Sequence, residues 1–100
     1  MTFPIHNRLQ ERTTHMEQMI NIGFGNFVNR YKIIAVISPD SAPAKRMIQN
    51  GKDQGTVIDA TQGRRTRAIV VMENANIVLS AVLPETIAGR CAQVQPSAEV

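Results

Sequence analysis

The sequence predicts a small α+β domain: a mixed or antiparallel sheet with one central helix and a short C-terminal helix. Three observations predict it. Short apolar runs rich in Ile and Val recur between Met19 and Val82, one intervening stretch has helical spacing, and Gly, Pro, Asn or Asp punctuate the junctions. The resulting order, β-β-α-β-β-β-α, lacks the regular alternation of a parallel α/β fold. One hundred residues suffice for a single modest core and not for two.

Each element has its own justification. Residues 1–15 (MTFPIHNRLQERTTH) are polar, lack a sustained period and carry Pro4, so they read as a mobile extension with at most a helical turn around Arg8 to Arg12. Met16 is an alternative start for the chain, and residues 1–15 are expected to be dispensable for folding. Met19, Ile20 and Ile22 read as a first short strand stopped by Gly23, and Gly23 and Gly25 of GFGNF permit backbone angles closed to other residues. Lys32 to Ser38 (KIIAVIS) is nearly continuous in apolar character, as a strand covered on both faces should be. SPDSAP then breaks the chain. Asp40 or Ser41 can cap a helix whose first turn accepts Pro43. Ala44, Met47, Ile48 and Gly51 form its apolar face, Lys45, Arg46, Gln49 and Lys52 its wet face, and Gly55 is placed to end it. Strands are expected at Thr56 to Ala60, Arg67 to Met72 and Ile77 to Val82, with the last two joined by a turn at ENAN. Pro84 and Glu85 open a terminal helix through about Arg90, and residues 92–100 read as a flexible tail. The folded domain is therefore expected over residues 16–91.

Composition narrows the function. The chain is 43% hydrophobic and 19% charged, a globular balance, and with only Phe3, Phe24, Phe27 and Tyr31 as aromatics its core must be aliphatic. A formal charge of +3 favours phosphate-bearing partners. A single cysteine, Cys91, excludes an internal disulfide framework and suits a reducing cytosol. The first twenty residues lack the apolar region of a signal peptide, and no apolar run approaches the roughly 20 residues that span a bilayer, so a cytoplasmic chain without a membrane partner is expected.

The strongest local signal is TQGRRTRAIVV, residues 61–71, with Arg64, Arg65 and Arg67 in four positions and no carboxylate between Asp59 and Glu73. Gly63 permits a tight reversal, which would put Arg64 and Arg65 at the tip of a hairpin. Were the next strand to begin at Arg65, then Arg65, Arg67, Ile69 and Val71 would share one face. Arginine's planar fork binds phosphate oxygens in pairs and stays charged at any cellular pH. The bland alternative is a solvated loop whose charges deter edge-to-edge aggregation. Arg30 and Lys32, flanking Tyr31, either extend a basic surface or keep a strand end soluble.

Other signals are weaker. GFG lacks the third glycine of a dinucleotide fingerprint and the lysine of a nucleotide loop, so no cofactor is expected, and Phe24 and Phe27 read as core or subunit-interface residues. His6 and His15 have no ligand cluster beside them, and Cys91 has no neighbouring histidine; neither a metal site nor a catalytic group is expected.

INIGFGN, IIAVISPDSAPAKRMIQ, DATQGRRTRAIVV and PETIAGR together resemble the RemA family, the extracellular matrix regulatory proteins of bacteria, from about Ile20 to Arg90. The resemblance implies a fold similar to the DNA-binding domain of LytTR-type regulators. It also implies a homo-oligomeric ring, larger than a dimer, that wraps double-stranded DNA around its outer surface and regulates transcription, notably of biofilm matrix genes. A protein of that kind would be nucleoid-associated. The family's GRR contact falls on Arg64 and Arg65, and a further family arginine falls on Lys32, where lysine keeps the charge and loses the fork. Arg67 and Arg30 complete the candidate DNA-binding set. Two rival classes stand beside this one. A structural or adaptor protein would use the basic loop on an acidic protein partner. An RNA-binding module is disfavoured by the scarcity of aromatics for base stacking.

Overall fold

The computed structural model describes residues 18–94, so the expected extension over residues 1–15, with His6, His15, Arg8 and Arg12, lies outside the described residues. Its strands are β1 (Met19–Asn21), β2 (Phe27–Asn29), β3 (Ile33–Ile37), β4 (Val57–Asp59), β5 (Ala68–Met72) and β6 (Ile77–Ser80). Its helices are α1 (Ala42–Gln54) and α2 (Pro84–Val94), and a 3-10 turn at Arg30–Lys32 precedes β3. The α+β class, the helix α1 and the three later strands agree with the sequence reading. Helix α2 runs to Val94, past the expected end at Arg90. Strand β2 was not foreseen: Phe27–Asn29 is too short to show a period and exists through its antiparallel pairing with β1.

The main sheet has the order β3-β5-β6-β4. β5 is antiparallel to β3 and β6, and β4 runs parallel to β6, so the sheet is mixed. β6 separates β4 from β5. The expected hairpin carrying Arg64 and Arg65 is therefore wrong: residues 60–67 cross over the end of β6. The turn signal at Gly63 was sound, but nothing local says which strand lies between its arms. The hairpin at residues 73–76 is real, with Ala75 at φ 73° and the Asn76 amide donating to the Asn74 side chain.

β5 and β6 are central and buried, which explains their unbroken Ile, Val and Leu. One face packs Ile69, Ile77 and Leu79 against Ala44, Met47 and Ile48 of α1. The other packs Val70, Val78 and Ala68 against Ile20 and Ile22 of the β1–β2 hairpin and Ile87 of α2. Helix α1 begins where the Ser41 side chain accepts the Ala44 amide and ends on Gly55, at φ 75°. Gly51 lies where α1 meets β4, and a Cβ there would fall 2.6 Å from Val57 Cγ2. Ser80, fully buried, donates its hydroxyl to the Ile22 carbonyl at 2.8 Å and fixes the small hairpin to the main sheet.

Candidate nucleic-acid interface

The arginine loop is rigidly built. At its start Asp59 Oδ1 accepts the Thr61 amide at 2.9 Å and the Thr61 hydroxyl at 2.6 Å, in the manner of an Asx turn. The Thr61 hydroxyl, then its amide, hold the Asp59 carboxyl below the usual carboxylate range. Thr61 is buried, and its carbonyl accepts the Arg64 amide at 2.9 Å across Gln62 (φ 55°) and Gly63 (φ 78°). Two successive positive φ values are the pattern of a type I′ turn. No atom lies within 4 Å of a Cβ placed on Gly63, so glycine answers a backbone need and not a steric one. The feet of the loop are pinned to β6 by Ala60 N–H to Leu79 C=O at 2.9 Å and Arg67 N–H to Ser80 C=O at 2.8 Å.

Arg64, Arg65 and Arg67 are all exposed, and among the described residues none forms an ion pair. They share a cleft of about 370 Å³ with Gly23, Phe24, Ala81 and Val82. The strand expected from Arg67 begins at Ala68, so the condition of a start at Arg65 is not met and the shared face of Arg65 and Arg67 with Ile69 does not arise from strand alternation.

The opposite wall is the β1–β2 turn, which the sequence reading did not connect with the arginines. Asn26 donates its amide and its side-chain Nδ2 to the Gly23 carbonyl, both at 3.0 Å, and the Gly23 amide donates to Asn21 Oδ1 at 2.7 Å. Phe24 (φ 55°) and Gly25 (φ 77°) form its tip. Phe24 and Phe27 are half-exposed, so they are not core residues as the first of their two expected roles required. A G-F-G-N stretch between short apolar runs was a readable turn signal. What it could not reveal was which loop the turn would face, some forty residues away in sequence.

Arg30 and Lys32 stand elsewhere. The Arg30 guanidinium donates to the Cys91 carbonyl at 2.7 Å and to the Tyr31 hydroxyl at 2.6 Å, and lies 4.5 Å from the Tyr31 ring centroid. Those bonds clamp the 3-10 turn to α2 and occupy the fork that a phosphate would need. Lys32 forms an exposed ion pair with Glu73 at 3.3 Å. Because Ile33 pairs with Met72, Lys32 sits at the opposite end of β5 from Arg67. That is about 20 Å of strand at roughly 3.3 Å per residue. Cys91 is half-buried within α2, and burial pushes its thiol above the ordinary value. Among the described residues no helix is long and apolar enough to cross a membrane.

Comparison with known proteins places this arrangement. Residues 19–91 match the family described as Extracellular matrix regulatory protein A-like. A regulatory protein of Lachnoclostridium phytofermentans is 63% identical over 78 residues, covering 78% of this chain and 86% of the relative. The Extracellular matrix regulatory protein A of Bacillus subtilis is 59% identical over 73 residues, 73% of this chain and 82% of its own. A regulatory protein of Moorella thermoacetica is 53% identical over 81 residues, 81% of this chain and 89% of its own.

Proposed function

The chain belongs to the RemA-like family of regulatory proteins, and from that premise we propose that it regulates transcription by binding double-stranded DNA through its arginine loop. The observation that carries this reading is the loop itself: three exposed arginines, without an ion pair among the described residues and seated on a turn braced by Asp59, Thr61 and the backbone of β6. The braced backbone brings the three side chains together, so on meeting phosphate oxygens the loop itself has little freedom to lose.

One such loop would hold DNA weakly at physiological salt. In this reading, copies assemble into a ring larger than a dimer, and the loops act together along a bent duplex wrapped on the outside. Specificity then rests more on the bendability of the DNA than on base reading. Biofilm matrix genes are the proposed targets, by kinship with a relative named for extracellular matrix regulation. Arg64, Arg65 and Arg67 are the primary contacts. Lys32 is a secondary one, in competition with Glu73, and Arg30 acts by holding the 3-10 turn in place. The test is a gel-shift titration of the full chain with duplex fragments across salt concentrations. Affinity should fall with salt, log against log, by about one unit of slope for each phosphate neutralised. Affinity that does not respond to salt would reject the reading, and preference for an acidic polypeptide over duplex would favour an adaptor role.

A further inference from the structure

The turn facing the arginines contains a residue that neither folding nor phosphate binding accounts for. Phe24 leaves half of its surface exposed, so its ring adds little to the core. Its backbone sits at φ 55°, a region that bulky residues rarely adopt and that Gly or Asn enters readily. Its ring centroid is 5.8 Å from the Arg64 guanidinium, at the outer limit of a cation–π contact, so that interaction does not explain it either. Yet the turn is held firmly. Asn21 and Asn26 side chains brace it, the Asn26 carbonyl accepts the Ile22 amide at 2.8 Å, and buried Ser80 anchors Ile22. A strained backbone that its surroundings over-determine, at an exposed position, points to function.

We propose that Phe24 is a wedge that enters the minor groove and partly unstacks a base step while Arg64, Arg65 and Arg67 hold the flanking phosphates; this rests on the reading of the loop as a duplex-DNA contact. The minor groove is about 6 Å wide, and one aromatic at the tip of a two-residue turn is slim enough to enter it. Apolar wedges of this kind kink DNA toward the major groove, and the kink lets more of the duplex follow a curved protein surface. Flexible pyrimidine–purine steps, TA above all, resist least. Phe24 and the arginines line the same cleft, so wedge and phosphate grips would act on neighbouring nucleotides.

The experiment uses the full chain and an A·T-rich duplex carrying 2-aminopurine at a TA step, with dyes at its ends. The wild-type chain should raise the 2-aminopurine fluorescence and shorten the end-to-end distance. Phe24→Asn removes the ring and suits the left-handed backbone. It should keep oligomeric mass and melting temperature, keep the salt slope, lose both optical signals, and bind about tenfold more weakly. Phe24→Leu retains an apolar wedge and should keep the unstacking signal. Arg65→Ala should do the reverse of Phe24→Asn: a shallower salt slope, with unstacking preserved in the DNA that remains bound. Phe24→Asn that unstacks and bends DNA like the wild type would overturn the wedge, as would salt-dependent wild-type binding with no unstacking. A fall in mass or melting temperature in Phe24→Asn would make Phe24 an interface or structural residue instead. A wild-type chain that does not bind duplex at all removes the underlying reading, and the wedge with it.

Discussion

Arginine has two fates in this domain, and the difference is set by what surrounds each guanidinium. Among the described residues the Arg64 and Arg65 side chains are exposed and form no ion pair. Replacing both by alanine should abolish duplex binding and change stability by about 0.5 kcal/mol or less, checked by gel shift and thermal melting together. Arg30 is bonded to the Cys91 carbonyl and Tyr31, so Arg30→Ala should lower stability by roughly 1–3 kcal/mol through a lost charge-assisted bond. DNA affinity measured well below its melting point should change little. Asp59 makes a pH prediction. Its folded pKa is depressed, so its contribution is fully present above the unfolded carboxylate pKa and is lost as pH falls through the lower folded value. The arginine loop should therefore stay braced at neutral pH and loosen only in acid. An NMR titration should find Asp59 low, and Thr61→Val should return it toward the usual range. Arg64, Arg65 and Arg67 could be read as a bare cationic run because unneutralised charge is visible in one dimension, and the structure leaves all three exposed. The bonds of Arg30 were not legible, because its partners are sixty-one residues away and next door, and only the fold says which of them it meets.

Among the elements, those set by local chemistry were legible and those set by distant partners were not. Helix α1 announced its own start and stop through Ser41, Pro43 and Gly55. Composition matched burial in β5 and β6 but misled for β3, whose equally apolar run was expected to be covered on both faces and instead forms an edge strand with Ile34 exposed. Strand β2 and the crossing of residues 60–67 over β6 depend on pairings that no local pattern encodes. Gly51 shows a third case: it looks like one more small residue on the apolar face of α1, whereas it marks a close approach of helix and sheet. A methyl group there would meet Val57, whose branched side chain has little freedom to move. Gly51→Ala should thus destabilise the domain by about 1–3 kcal/mol despite alanine's better helix propensity, measured by urea unfolding.

At the scale of the whole molecule, the described residues leave apolar side chains exposed at both edges of the main sheet. Ile34 on β3 is 64% exposed and Ile58 on β4 is 54% exposed, the latter beside a groove of about 480 Å³ that Phe27 and Met72 also line. Two different patches on opposite edges suit a head-to-tail contact between copies, the kind that closes into rings. Light scattering at micromolar concentration should give a mass above that of a dimer. Ile58→Asp should lower that mass, whereas the Arg64 and Arg65 replacements should not.

The position of β6 between β4 and β5 also sets a timetable. The arginine loop joins two strands that precede β6 in the chain, yet both of its feet are bonded to β6, at Leu79 and Ser80. During synthesis the arginines emerge before the strand that gives them their shape. The β5–β6 hairpin, being local, is free to close first, and β4 then completes the sheet by docking along the far side of β6. Pulse-labelled hydrogen exchange during refolding should show the Val70–Val78 region protected early. The amides of Ala60, Thr61 and Arg64 should follow together in the final phase, so that affinity for a polyanion is acquired as the last step of folding. A nascent chain of this kind would pass through the crowded, RNA-rich surroundings of the ribosome with its strongest cationic element still unformed.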